Sequence, residues 1–213
     1  TLEHLYPNDG LSIEYHDEWG GKNYRKLINE FKKDPLQKGD IVFLGNSITQ
    51  GGGNWNHRFN HSNIKNRGIG GDVTDGVLAR LEEIIFFKPK AVFLLIGIND
   101  LWNVSLNIPE FEYIGNNIIE IAKRIKQKSG KTKVYVQTIL PIEKKNFKEP
   151  IKNINLMIKK NQDINVFEII DLYSAFVDDQ GLIKSDLTTD GVHLNEVGYQ
   201  VWVDYVKPIL ETL

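Results

Sequence analysis

The feature that most constrains the fold of this chain is an unbroken apolar run, Ala91-Val-Phe-Leu-Leu-Ile-Gly97. A run of this length, with no alternating polar residues, is typical of a strand that is buried on both faces. A second run, Asp40-Ile-Val-Phe-Leu-Gly45, has the same character. Strands of this kind form parallel sheets that are covered by helices on both sides.

Strand-like and helix-like segments alternate along the rest of the chain. Further strands are predicted at residues 63–67, 133–139 and 165–170. Helices are predicted from Asp72 or Thr74 to about 87, from Pro109 to about 130, from Pro150 onward, from Asn195 to near the end, and over 24–33. This alternation predicts an α/β fold, a three-layer α/β/α sandwich whose parallel sheet has about five strands.

Length and composition fit one globular domain. The 213 residues are 41% hydrophobic and 25% charged, which are ordinary values for a chain with one sizeable core. We therefore expect a single domain over residues 1–213. Residues 1–38 show little periodicity outside the short helix, so we expect them to wrap a core formed by residues 39–213.

The same data disfavour several partners. The net charge of −2 gives no reason to expect nucleic acid or an anionic membrane, and no apolar run reaches the length of about 18 residues that a membrane span needs. The chain has no cysteine and its histidines are scattered, so we expect neither a disulfide nor a metal site.

The sequence predicts no particular oligomeric state and no single compartment. Because the chain begins at Thr1, it fits a periplasmic or secreted protein whose leader has been removed as well as a cytoplasmic one.

Two separated segments carry the residues of a nucleophilic site. Ser47 follows the first predicted strand, and Asp190-Gly-Val-His193 precedes the last predicted helix. A serine, a histidine and a carboxylate can act as nucleophile, base and orienting acid if the fold brings them together. Each segment also has a purely structural interpretation, since Ser47 can cap a helix and Asp-Gly is a common turn.

Two further loops at strand ends can supply hydrogen-bond donors. Gly68-Ile-Gly-Gly-Asp-Val-Thr74 can present backbone N–H groups to an oxyanion or to a phosphate, although it lacks a phosphate-loop lysine. Asn99 can offer its side-chain amide to an oxyanion, or it can simply open a turn. Loops after the carboxyl ends of parallel strands share one crevice, so we expect these loops to meet near Ser47.

These four segments, in this order, resemble the motif set of the SGNH hydrolases, also called the GDSL family of esterases and lipases. Ser47, Gly71, Asn99 and His193 match its four characteristic residues, and Asp190 matches the aspartate before the histidine. The resemblance implies a flavodoxin-like fold, no cofactor and a serine esterase. It also implies a triad of Ser47, Asp190 and His193 and an oxyanion hole formed by Ser47, Gly71 and Asn99.

The resemblance spans roughly residues 40–200 and departs from the family at one position. Asn46 stands where the family usually has an aspartate, and we expect activity to survive because this side chain is not a reacting group. The segment Asn66-Arg-Gly-Ile-Gly-Gly-Asp72 looks most like the acetylhydrolase branch. That branch includes platelet-activating-factor acetylhydrolase subunits and sialate or carbohydrate O-acetylesterases.

The substrate expectation is a small-molecule or carbohydrate ester with a short acyl group, in first place acetyl, since no extended apolar lid is evident. Trp55 and Trp102 are expected to line the crevice. Arg67 or Arg80 can bind a substrate carboxylate, with Arg67 as the candidate contact, but a solvated or ion-paired arginine is the favoured interpretation of either residue. Trp19 and Tyr15 are expected to fold over the site. The alternatives are a lysophospholipase or acetylhydrolase acting on lipids, and a non-catalytic carbohydrate-binding protein on the same fold.

Overall fold

The computed structural model describes residues 2–102 and 110–213. Its centre is a sheet of five parallel strands in the order β2-β1-β3-β4-β5. The strands are β1 Ile41–Gly45, β2 Ile64–Gly68, β3 Ala91–Leu95, β4 Lys133–Gln137 and β5 Glu168–Ile170. The predicted α/β class with a five-stranded parallel sheet is therefore confirmed.

Helices flank the sheet and connect its strands. They are α1 Glu18–Lys33, α2 Ser47–Gly51, α3 Trp55–Phe59, α4 Thr74–Ala79, α5 Glu82–Phe87, α6 Ile98–Trp102, α7 Phe111–Lys128, α8 Lys148–Lys160, α9 Leu172–Phe176 and α10 Glu196–Leu210. None of the helices in the described residues is long and apolar enough to cross a membrane. The predicted helix from Pro109 to about 130 corresponds to α7, and Pro109 itself lies outside the described residues.

Three helices differ from their predicted extent. Helix α1 begins at Glu18, because the side chain of Asp17 caps it by accepting a hydrogen bond from the Gly20 N–H at 2.6 Å. The two glycines that follow Trp19 weaken the helical pattern in the sequence. Pro150 lies inside the first turn of α8 rather than opening it, which the unpartnered N–H groups of a first turn permit. The helix predicted up to residue 87 is divided into α4 and α5, and the chain leaves helical geometry at Arg80.

An aromatic ladder fixes the register of the central strands. Phe43, Phe93 and Tyr135 are paired neighbours on β1, β3 and β4, and their rings stack with centroids 4.9 and 4.8 Å apart. Aromatic pairs of this kind each contribute about 0.5–1.5 kcal/mol beyond the area that they bury. Because the strands are held in register, their carboxyl ends meet along one edge of the sheet.

A separate small cluster attaches the N-terminal segment to this edge. Ile69, which directly follows β2, is fully buried against side chains from residues 5 to 31. These partners are Leu5, Tyr6, Tyr24, Ile28 and Phe31. The contact holds the start of α1 beside the loop that follows β2.

Candidate active site

Ser47 lies at the centre of the carboxyl edge, where β1 passes directly into α2. Gly45 ends the strand, and a Cβ there would overlap the carbonyl oxygen of Leu95 on β3, so only glycine allows this close approach. Asn46 then caps α2, because its Oδ1 accepts a hydrogen bond from the Ile48 N–H at 3.0 Å. The turn leaves Ser47 as the first helical residue, facing the crevice.

His193 and Asp190 reach Ser47 from a loop before α10. The Ser47 Oγ and the His193 Nε2 are 3.0 Å apart, although the two residues are separated by 146 positions in the chain. The His193 Nδ1 is 2.7 Å from the Asp190 Oδ2. The other carboxylate oxygen of Asp190 accepts hydrogen bonds from the backbone N–H groups of His193 and Val192 at 2.7 and 3.0 Å. Hydroxyl, imidazole and carboxylate therefore form one continuous chain.

The carboxyl of Asp190 is strongly acidic. Partial burial raises its pKa, but hydrogen bonds from the His193 ring and from the backbone N–H groups of His193 and Val192 outweigh this and hold the pKa at about 2. The group is therefore a carboxylate at neutral pH. A carboxylate at this position keeps the imidazole proton on Nδ1, which leaves Nε2 free to accept the Ser47 hydroxyl.

Gly71 occupies the loop after β2 in a left-handed conformation with φ of +81°. A Cβ at this position would lie 2.8 Å from the Cα of Gly20 and 3.1 Å from the ring of Trp19. The loop is fixed on its other side, because the Gly70 N–H donates to the side-chain oxygen of Gln50 at 2.6 Å. Glycine is therefore required both by the backbone angle and by the contact with α1.

Asn99 belongs to the first turn of α6 and lines the same crevice as Ser47 and Gly71. Its Nδ2 donates a hydrogen bond to the backbone carbonyl of Asp72 at 2.9 Å. A side-chain amide has two N–H donors, so this bond orients the group and leaves a second donor for a ligand. The structure thus brings together Ser47, Gly71, Asn99, Asp190 and His193, the five residues predicted for the triad and the oxyanion hole.

Sequence reasoning missed a buried ion-pair network directly beneath this loop. Asp72 is fully buried and lies 2.9 Å from the Nη2 of Arg80 and 2.9 Å from the Nε2 of His16. Arg80 also donates to the carbonyls of Arg67 and Gly45 at 2.9 and 3.0 Å. One guanidinium thereby ties the ends of β1 and β2 to the Gly71 loop. The available signal was the opposite charges of Asp72 and Arg80 at the two ends of α4.

Two expected substrate-binding residues belong to the core instead. Trp55 is 1% exposed, its ring stacks on Phe43 at 4.5 Å, and its Nε1 donates to the Thr49 carbonyl. Arg67 is buried in a bidentate ion pair with Glu83 at 3.0 and 2.9 Å. The expectation that Trp55 and Arg67 contact substrate is therefore wrong. Neither residue lines the crevice, because Trp55 packs in the core and Arg67 is paired with Glu83.

Arg80 is the other arginine considered for a substrate carboxylate, and the structure places it in an ion pair with Asp72, the interpretation favoured from the sequence. Arg80 is 5% exposed, and its guanidinium donates hydrogen bonds to Asp72 and to two backbone carbonyl groups. Arg80 is also absent from the residues that line the crevice beside Ser47.

The crevice beside Ser47 has a volume of about 380 Å³ and aromatic walls. Trp102 is 39% exposed, stacks on Phe147 at 5.5 Å, and has the Nζ of Lys144 4.0 Å from its ring centre. Trp19 is 62% exposed and also lines the crevice. Tyr15, which was expected to fold over the site with Trp19, packs edge-on against Tyr113 and is not among the residues that line the crevice. The remaining lining residues are Asp17, Ser47, Gly71, Ile98, Asn99, Asp190, Val192 and His193.

Comparison with models of known protein families shows which family this chain belongs to. The model of the GDSL-like lipase/acylhydrolase family matches residues 43–201. The chain belongs to this family. The resemblance to SGNH hydrolases drawn from the motifs is thereby confirmed, whereas the acetylhydrolase branch stays a prediction.

Individual relatives agree with this assignment. Platelet-activating factor acetylhydrolase IB subunit alpha2 of Rattus norvegicus is 27% identical over 97% of this chain and 88% of its own length. The structure of a GDSL-like lipase from Bacteroides thetaiotaomicron is 25% identical, with a TM-score of 0.76 over 89% of this chain and 98% of that one. An acetyl xylan esterase shares the fold at 21% identity, with a TM-score of 0.68 over 80% of this chain and 99% of that one. The protein is a carboxylic ester hydrolase of the SGNH type.

Proposed function

We propose that this protein is a serine esterase that removes a short acyl group, in first place acetyl, from a carbohydrate ester. The observation that carries the proposal is the chain of contacts from the Ser47 Oγ through His193 to Asp190, at 3.0 and 2.7 Å. These three side chains line the same crevice as Gly71 and Asn99, the other candidates for the oxyanion hole.

In the proposed reaction, His193 takes the hydroxyl proton of Ser47 as the oxygen attacks the ester carbonyl. The Asp190 carboxylate stabilises the imidazolium that forms. The negative charge that develops on the carbonyl oxygen is met by the backbone N–H groups of Ser47 and Gly71 and by the free N–H of Asn99. His193 then gives its proton to the departing alkoxide, which leaves an acyl group on Ser47.

The second half of the reaction reverses these roles with water as the nucleophile. His193 accepts a proton from water, the hydroxide attacks the acyl-serine, and the same donors hold the second oxyanion. The proton then returns to the Ser47 oxygen as the carboxylic acid leaves. No step requires a metal or a cofactor.

Two observations support an acetyl ester of a carbohydrate as substrate. The relative in Rattus norvegicus is named an acetylhydrolase and the similar structure an acetyl xylan esterase, so both names refer to acetyl esters. The exposed ring of Trp19 in the crevice offers a flat apolar surface, which suits a sugar ring.

A second candidate is an acetylhydrolase acting on a lipid. It is favoured by the match to the platelet-activating factor acetylhydrolase subunit, which extends over 97% of this chain. The two candidates share the acyl group and the mechanism and differ in the alcohol that is released. A panel of acetylated xylo-oligosaccharides, O-acetyl sialic acids and acetylated lysophospholipids, together with p-nitrophenyl esters of rising chain length, separates them. A higher kcat/KM on the lipid ester, or on long acyl chains, would overturn the carbohydrate assignment.

The Ser47→Ala variant tests the mechanism. Removing the attacking oxygen should lower kcat by about 10⁴- to 10⁶-fold and abolish labelling by a fluorophosphonate probe. The Ser174→Ala variant is a matched control, since Ser174 is exposed and lies outside the crevice. A folded Ser47→Ala protein that keeps near-full esterase activity would contradict the proposed nucleophile.

A further inference from the structure

Trp19 is the most exposed of the four tryptophans. It is 62% exposed, whereas Trp102 is 39% exposed and the other two, Trp55 and Trp202, are almost completely buried. Leaving a ring of this size in water forgoes hydrophobic stabilisation that burial would provide. The residue lines the crevice that contains Ser47 and His193, so part of this ring is available to a molecule bound there.

The ring is held firmly despite its exposure. A Cβ at Gly70 or Gly71 would lie 3.1 Å from atoms of the Trp19 ring, so the ring rests directly on the backbone of this loop. Asp17 caps the helix that carries it. His16, three positions before Trp19, lies 2.9 Å from the buried carboxylate of Asp72. An exposed aromatic ring held by a capped helix end and a buried hydrogen bond is preorganised for binding.

The position of Trp19 decides which part of an ester it can meet. It lies against the loop after β2, and Trp102 follows β3, while Ser47 follows β1 between them. If the acyl group is acetyl, it needs only the space next to Ser47, where Ile98 and Val192 line the crevice. The only part of such a substrate large enough to cover an indole ring is the alcohol.

We propose that Trp19 is a specificity-determining residue, the platform on which a sugar ring of the alcohol portion stacks while its acetyl group is cleaved at Ser47. The assignment rests on the proposed function and names the recognition element for its substrate class. Trp19 lies outside residues 43–201, the region that the family model matches.

The test compares two acetyl esters that differ in the alcohol, an acetylated xylo-oligosaccharide and ethyl acetate. In Trp19→Ala, the ratio of kcat/KM for the oligosaccharide to kcat/KM for ethyl acetate should fall about threefold to tenfold, the range that aromatic stacking energies predict. Trp19→Phe keeps a flat ring and should retain most of the ratio. Lys22→Ala, an exposed position on the same helix, is the control and should leave the ratio unchanged.

Two outcomes overturn the proposal. An unchanged ratio in Trp19→Ala means that the ring does not contact the alcohol, and an equal loss on both esters means that the ring only supports the loop. If the alanine variant does not fold, Trp19→Leu replaces it, because leucine is apolar but has no flat face. Failure of the proposed function is distinguishable, since it would show in the wild-type protein as activity that favours another alcohol or survives Ser47→Ala.

A binding measurement gives an independent readout. The deacetylated xylo-oligosaccharide, titrated calorimetrically into Ser47→Ala, should bind more weakly when Trp19→Ala is added to the same chain. Equal affinity in the two proteins would contradict a stacking role for Trp19.

Discussion

Ser47 depends for its position on the side chain before it. Asn46 is 1% exposed, and its amide oxygen caps α2 through the Ile48 N–H. An aspartate, the residue that the family usually has here, would make the same hydrogen bond and add a charge. Since the cap needs only the oxygen, we expect the amide to hold Ser47 equally well.

Asn99 provides the sharpest residue-scale prediction. Asn99→Ala removes a proposed oxyanion donor that Asp72 orients, so kcat should fall about 10²- to 10³-fold. KM should change little, because the lost interaction strengthens mainly in the transition state. Steady-state kinetics on p-nitrophenyl acetate measure both constants. Asn116→Ala, at an exposed position on α7, is the control, and a loss that appears in KM alone would contradict an oxyanion role for Asn99.

At the scale of elements, the division between α4 and α5 falls at a residue with a structural role. The chain leaves helical geometry at Arg80, whose guanidinium donates to Asp72 and to the carbonyls of Arg67 and Gly45 at the ends of β2 and β1. The same network receives His16 from the N-terminal segment. The loop that carries Gly71 is thus held from three elements.

Removing Arg80 should destabilise the fold substantially. In Arg80→Met, Asp72 stays buried and loses its guanidinium partner, keeping His16 as its side-chain hydrogen-bond partner, so we expect a loss of about 3–5 kcal/mol of unfolding free energy. Urea denaturation followed by circular dichroism measures this. Arg124→Met is the matched control, because Arg124 pairs with Glu120 on the exposed face of α7 and should contribute only about 0–1 kcal/mol. Equal losses of unfolding free energy in the two variants would show that the buried ion pair stabilises the fold no more than the exposed one does.

At the scale of the whole molecule, a buried carboxyl joins three helices. Asp100 on α6 accepts hydrogen bonds from the N–H and the hydroxyl of Thr74 on α4, and Asn117 on α7 donates to that hydroxyl at 3.0 Å. Burial raises the pKa of Asp100 to about 7, against the lowering effect of the Thr74 hydrogen bonds and with a smaller contribution from the nearby charge of Asp75. The folded protein therefore binds a proton that the unfolded chain has already lost.

This raised pKa predicts the sign of a pH effect on stability. The stabilising contribution of Asp100 is complete below the pKa of the unfolded carboxyl and is lost as the pH rises to about 7. Thermal unfolding should therefore show a Tm several degrees higher near about pH 5 than near about pH 8 from this group. Asp100→Asn should shrink that difference, whereas Asp204→Asn, at an exposed site, should preserve it. A difference that is the same in both variants would rule out Asp100 as its source.

The sequence by itself determined the strand and helix order and the five residues at the site. Both come from local patterns, since a doubly buried strand is an unbroken apolar run and each site residue directly follows or precedes a regular element. The assignment of these residues to a shared crevice followed from the geometry of parallel sheets, which aligns all carboxyl ends at one edge.

Only the tertiary structure decided which polar and aromatic side chains face that crevice. Trp55 and Trp19 are equally plausible from their local sequence, yet Trp55 stacks on Phe43 in the core and Trp19 stays exposed beside Ser47. Arg80 likewise forms an ion pair with Asp72 and does not line the crevice. The physical reason is that burial and charge pairing are set by contacts between segments far apart in the chain, and a local pattern carries no record of those contacts.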